Sequence, residues 1–97
     1  MFKLLVMIDV KNFEKFEAFE KEAADIIAEY QGRVLAAYEI ARDPSGSGKE
    51  VHLVEFPDRQ AYENYRKDQR FDFLNSLRDD AISAVQLFDV IAEKNYG

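Results

Sequence analysis

The chain has 97 residues, enough for one hydrophobic core but not for two, so a single domain over residues 1–97 is expected. Apolar residues make up 47% and charged residues 33%, the balance of a globular domain rather than of a disordered chain. A formal charge of −6 opposes binding to nucleic acid or to an anionic membrane surface, and the absence of cysteine excludes disulfides and thiolate metal sites.

Lack of cysteine fits a reducing, cytoplasmic location. No apolar run approaches the roughly 20 residues that span a bilayer. The opening Met1–Asp9 has a short apolar stretch without a small-residue cleavage site, which reads as a strand and not as a signal peptide. Within Phe2 to Val10 the even positions Phe2, Leu4, Val6 and Ile8 are all apolar, while the odd positions are mixed. Asn12 is placed to cap a helix that runs from Phe13 to Gln31. Its apolar stripe is Phe16, Phe19, Ala23, Ile26, Ile27 and Tyr30. Gly32 stands where a left-handed C-terminal cap belongs. Arg33 to Arg42 predicts a second strand with Val34, Ala36, Tyr38 and Ile40 on its drier face. Asp43 to Lys49 is a run of turn formers and predicts a mobile hairpin loop. Glu50 to Phe56 predicts a third strand, ended by Pro57, and Asp58 caps the next helix. That helix is expected to break at Lys67–Arg70, a stretch without an apolar residue. Ser83 to Glu93 predicts the last strand, and Lys94–Gly97 a frayed tail.

The order strand, helix, strand, strand, helix, strand predicts an α+β fold. It is the ferredoxin-like βαββαβ sandwich, a four-stranded antiparallel sheet with two helices on one face. The opposite face then carries Leu5, Met7, Leu35, Ala37, Val51 and Leu53, a patch of several hundred Å² if left bare. Covering it at about 25 cal/mol per Å² is worth several kcal/mol before association costs. A homodimer, sheet against sheet, is the economical solution. Asp9, Glu39 and Glu55 fall on that face, at the rim of such an interface or lining a cavity within it.

The stretch Val54-Glu55-Phe56-Pro57-Asp58-Arg59-Gln60-Ala61 resembles the E-F-P-x-x-x-A signature of the family called domain of unknown function 1330. Gln31-Gly32-Arg33 is similar to that family's Gly-Gly-Arg, Tyr65 to its first helical aromatic, and Leu77-Arg78 to its Leu-Arg pair. Arg66 stands in place of a family tyrosine, Phe71 replaces a second one, and Asp68-Gln69-Arg70 replaces Ser-Pro-Glu. The resemblance spans nearly the whole chain and implies the dimeric α+β barrel group of ferredoxin-like proteins. That group includes cofactor-independent monooxygenases, haem-degrading enzymes and muconolactone-isomerase-like proteins, and fold alone does not choose among them. Absence of tryptophan weighs against the haem-degrading and quinone-forming activities, whose pockets often rely on one.

Among titratable groups, Glu55 is a carboxylate in an otherwise apolar strand. Burial in a cavity would suit it to acid–base work, with Arg78 as orienting partner; the alternative is a structural salt bridge. Tyr38 and Tyr65 are candidates for stacking on or hydrogen bonding a ligand, and Asp9 for lining its site. His52, the sole histidine, is a ligand-binding or general-base candidate whose strand position also suits a structural role. One histidine plus carboxylates is a thin supply for a metal site, and no metal or nucleotide cofactor is expected. Ser45-Gly46-Ser47-Gly48-Lys49 fails the phosphate-loop pattern, because Asp43 and Glu50 stand at key positions and no helix follows. These residues support two readings. One is a small homodimer that binds or transforms a small, partly apolar metabolite, by cofactor-free proton transfer or ring oxygenation if it is an enzyme. The other is an assembly module without pocket chemistry.

Overall fold

In the computed structural model, which describes residues 1–97, the chain forms β1 (Phe2–Val10), α1 (Phe13–Glu29), β2 (Arg33–Arg42), β3 (Gly48–Phe56), α2 (Arg59–Arg66), α3 (Arg70–Ala81) and β4 (Ile82–Asp89). The strands make one antiparallel sheet in the order β2-β3-β1-β4, the ferredoxin-like arrangement, with the helices on one face. The second helical segment is two helices, broken where the apolar residues lapse. Asp68 organises the break: it accepts hydrogen bonds from the Arg70 backbone amide at 2.9 Å and from the Tyr30 hydroxyl at 2.6 Å.

Local chemistry sets the element ends. The Asn12 side chain accepts from the Lys15 amide at 3.0 Å, and Asp58 accepts from the Ala61 amide at 2.8 Å. After α1 the left-handed residue is Gln31, at φ 60°, and not Gly32. Gly32 answers a different need, because a Cβ there would lie 2.5 Å from the Phe56 ring. The β2–β3 hairpin loop, expected to be mobile, is tied down: the Asp43 backbone amide donates to the Ser47 carbonyl at 2.7 Å, and the Phe13 amide donates to the Gly46 carbonyl at 2.8 Å. The last strand ends at Asp89, so Val90 to Glu93 lie outside it.

Even positions of β1 and β3 face the helices, as their alternation predicts. The β2 alternation does not hold. Val34 pairs with Val54, but Ala36 pairs with Leu53, so Leu35 is an extra residue; Ile40 is another, between Glu39–Glu50 and Ala41–Lys49. Each such bulge switches the faces of the residues beyond it. Ala36 and Tyr38 therefore stand on the helix-free face opposite Leu53 and Val51, while Ala37 and Glu39 stand on the helix face. Most of the aromatics read as core by their spacing, but Phe73 is 86% exposed, because the inward stripe of α3 runs through Phe71, Leu74, Leu77 and Ala81.

The core is divided. One cluster gathers Ile8, Val10, Phe13, Phe16, Phe19, Ala23, Ala81 and Ile82; the other gathers Leu4, Ile27, Val54, Phe56 and Tyr62. Val6 packs against both.

Candidate functional site

Between these clusters lies a cavity of about 390 Å³, partly open to solvent. Its floor is the helix face of the sheet, through Leu4, Val6, Ile8, Val54 and Val85, and its walls are Phe19, Ala23 and Ile27 of α1 and Tyr65 and Phe71 of α2 and α3. It therefore lies within a single chain, on the helix side of the sheet, and not at the helix-free face where the sequence placed a pocket. The volume and the largely apolar lining are those of a small-molecule site.

Its polar groups are few. His52 occupies an even position of β3, so its imidazole enters the helix side, where it is only 7% exposed and stands 6.1 Å from the Phe16 ring. Nε2 lies 2.7 Å from a Glu50 carboxylate oxygen, and Nδ1 lies 4.0 Å from Glu20. Glu50 is two residues from His52 on the same strand face, so the strand period aligns the pair. Glu20 sits on the buried stripe of α1, four residues after Phe16 and three before Ala23, which turns it inward. Burial raises the Glu20 carboxyl above its ordinary value; His52 opposes that rise and Glu50 reinforces it. Burial also raises the Tyr65 hydroxyl strongly, and the charge of Glu20 adds to the effect. The result is a carboxylate–imidazole–carboxylate row beside an apolar hollow, in which both ring nitrogens already face carboxylates. Glu20 is the member that lines the cavity with a proton held more tightly than usual.

This arrangement has a consequence for stability. A carboxyl whose pKa is raised on folding binds its proton better in the folded state, so its contribution falls as pH climbs from its ordinary 4.5 through the folded value. Glu20→Gln removes that contribution. The difference in unfolding free energy between the variant and the parent chain should shift in the variant's favour as pH rises from 4 to 8, measured by urea titration. Parallel pH profiles would show that Glu20 titrates as a solvated group.

The sequence-predicted site residues divide between the two faces. His52, Tyr65 and Arg78 all line the helix-side cavity. Glu55, Tyr38 and Asp9 lie on the other side of the sheet. The expected Glu55–Arg78 pair is not formed, since odd positions of β3 point away from the helices. Glu55 is instead held between Arg33, at 3.2 Å, and Lys3, at 3.9 Å, its cross-strand neighbours on β2 and β1. Asp9 pairs with Lys49 at 3.3 Å, and Tyr38 is largely exposed opposite Val51. No three histidine, aspartate or glutamate side chains converge in metal-ligand geometry. Glu20 and Glu50 were missed by the sequence reading; the visible signal for Glu20 was a charged residue in phase with an aromatic stripe.

Residues 4–90 match the family described as Domain of unknown function (DUF1330). The chain belongs to this family. Among solved structures, a protein of unknown function from Rhodopseudomonas palustris aligns with 97% of this chain and 83% of its own, at TM-score 0.76 and 14% identity. An uncharacterized NIPSNAP domain protein from Burkholderia xenovorans covers 96% of this chain and 95% of its own, at TM-score 0.69 and 14% identity. SnoaB, described as a cofactor-independent oxygenase from Streptomyces nogalater, covers 97% and 94%, at TM-score 0.65 and 15% identity. At these identities the likeness is one of fold. No curated protein matches the sequence. In this DUF1330 chain the E-F-P-x-x-x-A stretch has structural work to do. Glu55 locks three strands, Phe56 fills the core, Pro57 stops the strand, and the Ala61 amide is capped by Asp58. No helix is long and apolar enough to cross a membrane.

Proposed function

We propose that this DUF1330 protein binds a small, largely apolar metabolite in the cavity between helices and sheet, and that Glu20 exchanges a proton with it. The observation that carries this reading is the half-buried Glu20 beside the buried His52 at the wall of an otherwise apolar hollow. As an ionised base, Glu20 would take a proton from an acidic C–H or O–H of the ligand, leaving the charge on the ligand and a neutral carboxyl on the protein. Return of that proton to a different atom would be an isomerisation, and neither half needs a metal or a nucleotide. His52, held by Glu50, would stabilise the ionised form of Glu20, and Tyr65 would offer a ring face to a planar ligand.

The test uses a panel of small phenols, β-keto acids and cyclic enones on the parent chain, Glu20→Gln and Ala24→Trp, the last filling the cavity wall. A ligand at about 100 times its Kd should stabilise the parent by about 2.7 kcal/mol, and Ala24→Trp should abolish the shift. In deuterated water, proton NMR should show loss of the ligand's acidic C–H signal with the parent and at least tenfold slower loss with Glu20→Gln. If no compound stabilises the parent chain, the cavity is not a ligand site; if exchange is unchanged in Glu20→Gln, that residue is not the base.

The helix-free face supports a homodimer. Leu5, Met7, Val51, Leu53, Ala36, Tyr38 and Phe88 share it, with the Lys3–Glu55–Arg33 row at one end and Asp9–Lys49 at the other. The molecule is a slab of 38 × 37 × 17 Å, and this face is one of its wide sides, larger than the roughly 800 Å² per partner of a standard interface. A second copy meets an apolar centre with an apolar centre, and places both signs of charge at the rim. Glu55, held by two cations and only 8% exposed, also favours the reading of this protein as an assembly module without pocket chemistry; the exchange experiment separates the two.

A further inference from the structure

The protein has six arginines and 19 carboxylates, and the arginines are not used alike. Arg33, Arg42, Arg59 and Arg70 each form an ion pair with at least one carboxylate. Arg66 and Arg78 come within ion-pair distance of none, and these are the two arginines that line the cavity. In a chain of net charge −6, that selection needs a reason. The helix break at Lys67–Gln69 brings it about: Arg66 ends α2 and Arg78 lies late in α3, so the two reach one cavity from either side of the break. Asn75, one turn before Arg78 on the same face of α3, adds an amide donor to the lining. Arg66 is also steadied over the Tyr62 ring, 5.6 Å from its centroid.

From this placement we infer that the ligand carries an oxyanion, specifically a carboxylate, which Arg66 and Arg78 bind while its apolar body fills the hollow. The inference rests on the reading of the cavity as a ligand site and adds the class of ligand, a small partly apolar organic acid. Guanidinium groups match a carboxylate through paired N–H donors, which lysines in the same places would not. The charged groups at the cavity also differ in sign: Glu20 lines it beside His52, whose other ring nitrogen faces Glu50, while Arg66 and Arg78 line it without a carboxylate partner. Glu20 and Glu50 repel the carboxylate from His52, so the acid is held by its head at the arginines, with its other end presented to Glu20.

Matched pairs test this on the full chain: phenylacetate against phenylacetamide and hexanoate against hexanamide, titrated by two-dimensional amide NMR. Each acid should bind at least tenfold tighter than its amide, and 0.5 M sodium chloride should weaken the acid alone. Both arginines are exposed, so Arg66→Gln with Arg78→Gln should fold as the parent does, and it should bind acid and amide alike. Equal binding of acid and amide by the parent, or an acid preference that survives in the double variant, overturns the inference while leaving the cavity a ligand site. Phenyl phosphate binding more tightly than phenylacetate overturns the assignment to a carboxylate. Failure of acids and amides alike to perturb cavity residues overturns this inference together with the cavity reading.

Discussion

Phe56→Ala should destabilise the protein by about 3–5 kcal/mol, the range for removal of a fully buried phenylalanine. Phe56 is 1% exposed, at the point where three parts of the chain meet. Its ring lies 5.4 Å from Tyr62 and 5.3 Å from Tyr65, and the Gly32 backbone approaches so closely that a Cβ would meet the ring at 2.5 Å. The absence of a side chain at Gly32 is thus a consequence of the ring at Phe56, and the surroundings are too constrained by strand pairing to collapse into the space it vacates. A domain of this size has a total stability of only about 5–15 kcal/mol, so the variant approaches the limit of folding. At roughly 4–8 °C per kcal/mol, its Tm should fall by about 12 °C or more. Phe73→Ala, removing the same group from an 86% exposed position, should change stability by less than about 0.5 kcal/mol. Urea titration of both variants checks the pair; similar losses would mean that the division into buried and exposed aromatics is wrong.

Much of this architecture is legible in the residues because the fold depends on periodicity and caps. Asn12 and Asp58 announce their helices, the aromatic stripe fixes the phase of α1, and the helix breaks at Lys67–Gln69, within the stretch that has nothing to bury. What is not legible is any feature that one inserted residue can change. Val34, Ala36, Tyr38 and Ile40 alternate as regularly as a flat strand would, and nothing in their side chains marks Leu35 or Ile40 as the extra residue. Those bulges arise from the pairing geometry of an edge strand, a tertiary matter. The site suffered for a related reason. Glu55 attracts notice because its sequence neighbours are apolar, yet strand alternation turns it away from them, toward Lys3 and Arg33. Glu20 escapes notice because its neighbours Phe19 and Lys21 look like an ordinary helix edge, and only its spacing from Phe16 and Ala23 shows that it faces inward. His52 is legible as a buried histidine, but its carboxylate partners come from a strand neighbour and from a helix more than thirty residues earlier, a juxtaposition that exists only once the sheet has formed.

If two copies pair through the helix-free face as proposed, the displaced β2 register makes that pairing sensitive to single positions. Leu53 lies at the middle of the helix-free face, opposite Leu5 on β1 and Ala36 on β2, and in a free protomer it is already in contact with solvent on that side. Leu53→Asp should therefore fold normally and fail to dimerise. A twofold interface buries the new carboxylate twice, and an uncompensated buried charge costs about 3–5 kcal/mol, so dimer formation should weaken by at least about 10⁴-fold. Sedimentation equilibrium at micromolar concentration should then give twice 11.3 kDa for the parent chain and 11.3 kDa for the variant. Ala36→Asp should do the same, since it shares a cross-strand row with Leu53, whereas Ala37→Asp, one residue along and paired with His52 on the helix side, should leave the dimer intact. A flat strand in the register suggested by alternation gives the reverse result for the two alanines. A parent chain that sediments as a monomer would sink the dimer; a dimer broken by Ala37→Asp and not by Ala36→Asp would sink the bulge.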